Sequence, residues 1–401
     1  MRSTLLACAC AATVSMALAA PPVAAGPRLT VHLRLAPAAI AMAVDAHGRA
    51  YTVTNDEHPR RSHAVLRAFA ADGSLRWERI WRPQDASVYA VDLAVSPVGT
   101  VAVTGRIKAA HPTTPCDEIW SYGWAVRTWR PDGNTLWQRS QPGWRTCKVF
   151  GTSGRAVAIG GGSVAIAAQH ADEYSGSIDL IAFDLHGHDR WTRPVRVPGS
   201  QDEVAGDLAV GAGGSVFLAA TSGHLFMSVE PDDENATLVK YRADGSLAWL
   251  RLVPDDAHGP GPDRDRGTSV ALLPHGVVLG SLMDEPSGAT RARIAAYGFG
   301  GGPRWEHRFP AGYHYNDVFV ASWHRGAILA NTEPDADGTG SHVVLRGFDG
   351  AAHLRWRLRP GPNSDASWGP TDLDAAGDAI AVTGRPFGTE RWCRLWVYRA
   401  V

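Results

Sequence analysis

Outside its first 25 residues the chain has no run of the roughly 18 apolar residues that a helix needs to cross a bilayer. It also lacks the short motifs that announce common chemistries. There is no H-E-x-x-H, no G-x-x-x-x-G-K-[ST], no nucleophile elbow and, past the N-terminal segment, no C-x-x-C. Zinc-peptidase, P-loop and α/β-hydrolase chemistry therefore find no support here. The Gly-rich pieces, such as Gly211-Ala212-Gly213-Gly214, sit between two strand-like runs rather than before a helix, which makes them turns and not phosphate cradles. The sixteen histidines are scattered along the chain. Charge is balanced at a formal −1, so nothing pulls the chain toward nucleic acid, and no nucleic-acid partner is expected. Cysteine is scarce: five in 401 residues, two of them (Cys8 and Cys10) in the N-terminal segment.

That segment reads as a secretory signal over residues 1–25. Arg2 supplies the positive end, residues 5–19 are apolar or small, and Ala17-Leu18-Ala19 fits a cleavage site, with Val23-Ala24-Ala25 as the alternative. Cleavage is thus expected after about residue 19 or 25. Leu5-Leu6-Ala7-Cys8 looks like a lipoprotein box, but the apolar stretch before Cys8 is too short, and a lipid-anchored form is not expected. The expected location is secreted or periplasmic. In an oxidising compartment Cys116 and Cys147 are the expected disulfide partners, which leaves Cys393 buried or free.

What the chain has in abundance is glycine (43), tryptophan (15) and one recurring hairpin. It appears first as Phe69-Ala70-Ala71-Asp72-Gly73-Ser74-Leu75-Arg76-Trp77. An Asp-Gly turn between apolar runs is a strong hairpin signal, because glycine accepts positive φ and aspartate bonds its own backbone. The pattern returns with Trp137, Trp191, Trp249, Trp305 and Trp356, at spacings of 60, 54, 58, 56 and 51 residues. A supersecondary unit at a nearly fixed period is the signature of a repeat architecture.

Six complete units follow one another, each with two small-residue strands, a long polar loop and the aromatic hairpin. Before them stands a lone strand, Leu29-Thr30-Val31-His32-Leu33-Arg34-Leu35, whose Arg34 and Pro37 align with Arg251 and Pro254 after Trp249. The seventh unit stops at Leu395-Trp396-Val397-Tyr398, before any fourth strand. The spare strand at one end answers the missing strand at the other. The expected fold is all-β: a seven-bladed β-propeller of four-stranded antiparallel blades over residues 26–401, its last blade closed by the N-terminal strand and with no linker between blades. Small inner strands, such as Ala41-Met42-Ala43-Val44, suit the crowded axis, and the repeated tryptophans suit packing between the wider outer strands. The unit Ala39-Ile40-Ala41-Met42-Ala43-Val44-Asp45-Ala46-His47-Gly48-Arg49-Ala50-Tyr51-Thr52-Val53, followed by Asp-Gly-x-x-x-Trp, resembles the seven-bladed bacterial β-propeller repeat family. A weaker likeness is to pyrroloquinoline quinone propeller repeats, which usually count eight blades. Neither resemblance assigns a catalytic residue.

Loop length separates two faces. Turns joining strands 1 to 2 and 3 to 4 are tight, whereas those joining strands 2 to 3, and blade to blade, are long. Function concentrates on long loops over a rigid scaffold, so that face is the expected working face. Its aromatic residues Trp120, Tyr122, Trp144, Tyr174, Tyr313, Tyr315 and Trp368 suit a glycan or a protein hot spot, or fold down as lids. Acidic pairs recur in the strand 2 to 3 loops as Asp56-Glu57, Asp117-Glu118, Asp172-Glu173, Asp233-Glu234 and Asp284-Glu285, with Glu333 at the matching place in the sixth. Such a ring would suit Ca²⁺, although no loop has the dense acidic spacing of a calcium loop; a solvated rim is the alternative, and no cofactor is required. Asp92, Asp207 and Asp372, near the ends of inner strands, are the candidate acids and bases of an enzyme. The leading expectation is a secreted, non-enzymatic, monomeric propeller binding a protein or glycan through the long-loop face. An extracellular carbohydrate- or peptide-active enzyme using carboxylates of that face comes second, and a quinone-dependent oxidoreductase third.

Overall fold

The computed structural model describes residues 26–57, 61–84, 86–110, 120–141, 152–171, 176–223, 233–253, 263–285, 289–312, 318–335, 340–360, 368–386 and 392–399. They form seven antiparallel four-stranded sheets arranged as the blades of a propeller. Blades 1 to 6 run in chain order from the axis outward. In blade 2, for example, Ala86–Val95 is innermost, followed by Val101–Ala110, Trp120–Trp129 and Thr135–Gln141. Blade 7 takes Trp368–Ala376, Ala379–Pro386 and Cys393–Arg399 from the end of the chain and its outer strand, Arg28–Leu35, from the beginning.

The hairpin repeat explains how neighbouring blades hold on to one another. In the turn of blade 1, Asp72 accepts hydrogen bonds from the Ser74 backbone and hydroxyl, and Gly73 sits at φ 86°. The tryptophan that follows then reaches into the next blade. Trp77 Nε1 donates to the Pro131 carbonyl at 3.0 Å, Trp137 to Leu185 at 2.9 Å, Trp191 to Ala243 at 2.9 Å and Trp249 to Phe299 at 2.9 Å. Two residues later an arginine Nε donates to the carbonyl of the next blade's turn glycine. Arg79 reaches Gly133, Arg139 reaches Gly187, Arg193 reaches Gly245 and Arg251 reaches Gly301, at 2.8 to 3.0 Å. Trp-x-Arg is thus a latch onto the neighbour's glycine turn, which is Asp-Gly in blades 2 and 4, His186-Gly187 in blade 3 and Gly300-Gly301 in blade 5. At blade 5 His307 takes the arginine's place, with Nε2 2.8 Å from the Ala352 carbonyl.

The closing strand differs from the alignment made on sequence. A bulge between Leu29 and Val31 puts Val31 opposite Val397, as the bulge between Lys240 and Tyr241 puts Trp249 opposite Lys240. Val31 and Leu33 therefore occupy the places of Trp249 and Arg251, not His32 and Arg34. A one-residue slip exchanges the two faces of a strand. The seventh seam accordingly uses apolar contact, with Val31 packed beneath Gly73 of blade 1.

The latch makes two demands on its glycine: positive φ and no side chain. A Cβ on Gly187 (φ 85°) would lie 2.7 Å from the Trp137 ring, whereas one on Gly199 (φ 81°) would meet nothing within 4 Å. Gly199→Ala should lose only the backbone cost of about 1–2 kcal/mol, and Gly187→Ala about 2–4 kcal/mol because the overpacking adds to it. Urea denaturation of both variants checks this, and equal losses would show that the tryptophan contact adds nothing.

Candidate functional site

The seven inner strands surround a central channel of about 470 Å³. An innermost strand is a sheet edge, so every second residue offers backbone groups that no strand pairs. Aspartates of one blade cap those groups on the next. Asp92 Oδ2 accepts from Val157 N at 2.7 Å and its Oδ1 from Leu93 N at 2.7 Å. Asp207 does the same with Val270 N at 2.9 Å and Leu208 N at 2.6 Å, and also accepts from the Ser269 hydroxyl. Asp372 accepts from Met42 N and Leu373 N, and Asp374 from Val44 N and Ala375 N. Two of the seams without an axial aspartate use neutral side chains. Asn55 both donates to and accepts from the Ala90 backbone, and Gln169 binds Ala205 N and the Glu203 carbonyl.

The three aspartates proposed as acid and base thus lie together around the channel, joined by Asp374, which sequence reasoning missed. Each is half-exposed toward the channel. Enclosure by the ring of strands is nevertheless the main influence on its ionisation. Burial, then the charge of Asp207, pushes Asp92 up to about 8, against the pull of its two N–H donors. Asp207 and Asp374 rise to about 6, chiefly through burial, and Asp372 is raised well above the usual carboxylate range by burial and the charge of Asp92.

On the long-loop face, the acidic pairs that can be placed are engaged, all within their own blades except Glu234, whose partner Arg266 belongs to the next blade. Asp56, next to exposed Glu57, lies 3.2 Å from His63 Nε2; Glu234 pairs with Arg266 at 2.6 Å and Glu285 with Arg291 at 3.0 Å. Asp284 accepts from Thr290, and Glu333 pairs with Arg346 and Arg357. Among the described residues, no three acidic, histidine or cysteine side chains are grouped to hold a metal. Asp117, Glu118, Asp172 and Glu173 lie outside the described residues, as do Cys116, Cys147, Trp144, Tyr174, Tyr313 and Tyr315, and the side chains of Asp233, Trp120 and Trp368. Cys393 is free and buried, accepts from Ala39 N at 3.1 Å, and burial pushes its thiol pKa up.

Of the expected aromatic residues, Tyr122 is the one whose side chain is described. Half-buried at the long-loop end of blade 2, it shares a sheet face with Tyr89, Arg106 and Lys108, since Tyr89 registers with Arg106 and Lys108 with Tyr122. The Arg106 guanidinium lies 4.7 Å from the Tyr122 ring centre and 5.0 Å from that of Tyr89. At blade 7, Trp392 has Arg34 at 4.3 Å and Arg394 at 5.8 Å. In blade 3, His170 stands between Thr152 Oγ1 and Asp179 Oδ2, each 2.9 Å from a ring nitrogen. Such a chain activates nucleophiles when its hydroxyl is accessible. Thr152 is buried, and the chain instead ties three strands together at their long-loop ends.

These features define a seven-bladed β-propeller with capped inner edges. The chain is similar to the polysaccharide lyase Uly1, with TM-score 0.53 and 9% identity over 96% of this chain and 94% of that one. It is also similar to Sqt1 from Chaetomium thermophilum, with TM-score 0.50 and 12% identity over 94% of this chain and 100% of that one. At such identities the likeness shows the fold alone. No protein-family model matches the chain, and no curated protein matches it. Among the described residues no helix is long and apolar enough to cross a membrane.

The raised aspartates have a measurable consequence. In the unfolded chain an aspartate titrates near 3.9, so between that pH and its folded value the native state binds more protons, and stability falls as pH rises. The contribution is intact below about pH 4; it is lost as pH rises through about 6 for Asp207 and Asp374 and about 8 for Asp92. Urea midpoints followed from about pH 5 to about pH 9, roughly two units either side of neutrality, should decline less steeply in Asp92→Asn than in the parent. Identical slopes would mean that Asp92 ionises normally.

Proposed function

We propose that this chain is an exported, non-enzymatic member of the bacterial repeat family it resembles, binding a glycan or a protein through its long-loop face. The observation that carries this reading is the division of labour along the strands. The axial carboxylates that an enzyme would draw on each hold backbone N–H groups of their own and the next blade. Side chains outside the repeat, the tyrosine and arginine group of blade 2 and the Trp392 stack of blade 7, stand at the long-loop ends. A propeller fold is shared by proteins of many functions, and the likeness to a polysaccharide lyase does not choose among them.

The enzyme reading takes its support from the raised Asp92, since an acid that stays protonated near neutral pH is what general acid catalysis needs. One set of measurements separates the two. Retention on glycan and protein arrays should fall about tenfold in Tyr122→Ala and Trp392→Ala, an effect of hot-spot size. It should be unchanged in Leu185→Ala at the tight-turn end. Unaltered retention in the first two variants would sink the working-face assignment. Turnover of the retained ligand that vanishes in Asp92→Asn would replace binding with catalysis.

A further inference from the structure

Many of the described arginines are committed. Arg79, Arg139, Arg193 and Arg251 serve the latches, and Arg67, Arg266, Arg291, Arg293, Arg346, Arg357 and Arg359 pair with carboxylates. Arg106 differs. It is exposed at the long-loop end of blade 2, flanked by Tyr89 and Tyr122, and among the described residues no carboxylate pairs with it. Its flanking rings are themselves fixed. Tyr89 accepts a hydrogen bond from the Ser62 hydroxyl at 3.0 Å, and Tyr122 has the Lys108 ammonium 5.7 Å from its ring centre. A guanidinium stacked on aromatic rings keeps its in-plane donors for a planar or tetrahedral oxyanion, and it has lost its rotamer freedom before the ligand arrives.

The surroundings narrow the kind of ligand. Residues 106 and 108 alternate with Ile107, which packs toward blade 1, so they look toward blade 3 together with Trp124. Blade 3 answers across that seam with His170, on the strand face of Val164, Ile166 and Ala168, and with Asp179 hydrogen-bonded to it. Hydroxyls, an imidazole paired with a carboxylate, and two cations therefore line the upper seam between blades 2 and 3. The exposed large apolar side chains lie mostly at the other end of the molecule, at Leu75, Val98, Leu185, Leu247, Phe299 and Leu354, and among the described residues none stands at this seam's long-loop end. A protein partner would want an apolar centre to its patch. A sugar chain wants hydrogen-bonding groups and aromatic edges.

Building on the long-loop face as the binding face, we propose that Arg106, held between Tyr89 and Tyr122, forms its anion subsite, and that the ligand is an acidic polysaccharide carrying carboxylate or sulfate groups. The test is titration of the purified protein with polygalacturonate, dextran sulfate, neutral dextran and poly-glutamate at two salt concentrations. One or both acidic polysaccharides should bind, more weakly at the higher salt, and neutral dextran should not. Arg106→Ala should weaken that binding about tenfold or more, and Arg106→Lys should restore only part of it, because an ammonium cannot make the paired hydrogen bonds. Melting temperatures of both variants should match the parent, since the side chain is exposed and holds no neighbouring blade. Acidic-polysaccharide binding that survives Arg106→Ala but falls in Trp392→Ala would overturn the subsite and leave the face. Binding indifferent to both variants would overturn the face as well. Failure of both acidic polysaccharides, equal affinity for neutral dextran, or equal Arg106-dependent affinity for poly-glutamate would overturn the ligand class.

Discussion

Everything in this ring depends on one contact, the grip of a tryptophan and an arginine on the turn of the blade ahead. The indole and guanidinium donate to two carbonyls of one Asp-Gly turn, which fixes both the distance and the angle between blades. Because each bond reaches a neighbouring blade, the local hairpin geometry and the global closure are not separate problems. Asp72 shapes its own turn, and the matching turns around Gly133, Gly187 and Gly245 present carbonyls outward in the same pose. Each neutral hydrogen bond is worth only about 1 kcal/mol net. Repetition and the burial of the large aromatic rings make the sum decisive. From blade 5 onward the grip changes, with His307 replacing arginine and the Trp356 indole N–H left without a hydrogen-bond partner, and closure itself falls to apolar Val31 and the paired N-terminal strand.

At the axis the problem is inverted. Outer strands need bulk, but inner strands have edges that would otherwise face a channel with nothing to bond. A short carboxylate is well suited to that place: its two oxygens take one N–H from its own strand and one from the next blade. The cost is electrostatic. Aspartates around one narrow channel repel each other and sit among low-polarity strands, which is why all four titrate high. Alternation with Ala41, Ala156, Ser269 and Phe319 at equivalent places keeps that repulsion bounded, because the aspartates serve three of the seven seams and neutral groups such as Asn55 and Gln169 serve others.

How much of this was legible depended on whether it repeated. The tryptophan period and the Asp-Gly turns yielded the blade count, strand order and closing strand. The register of that closing strand was not legible, since the bulge after Leu29 leaves no compositional mark and shifts the alignment by one. Asp92, Asp207 and Asp372 were placed near the ends of inner strands, and they lie there, around the channel. Their attachment to Val157, Val270 and Met42 was invisible because each partner is a backbone N–H, which every residue except proline has. Asp374 escaped notice for want of a counterpart in other blades. Arg106 was passed over because an arginine near a strand end reads as ordinary surface, and its two tyrosines, far apart in sequence, meet it only through strand register.

That asymmetry follows from how the repeat uses its two ends. The tight-turn end carries the latch, so a change to its tryptophans, arginines or turn glycines disturbs a neighbouring blade. The long-loop end carries no latch, and side chains there are free to differ from blade to blade. A binding group placed in a loop would still lose conformational entropy on meeting its ligand. Blade 2 avoids that loss by lengthening its strands: its three inner strands run ten residues each, the longest in the ring. Arg106 and Lys108 consequently lie on paired sheet, not on loop. The rigidity imposed by the latches at one end of the strands is thereby carried to the side chains at the other.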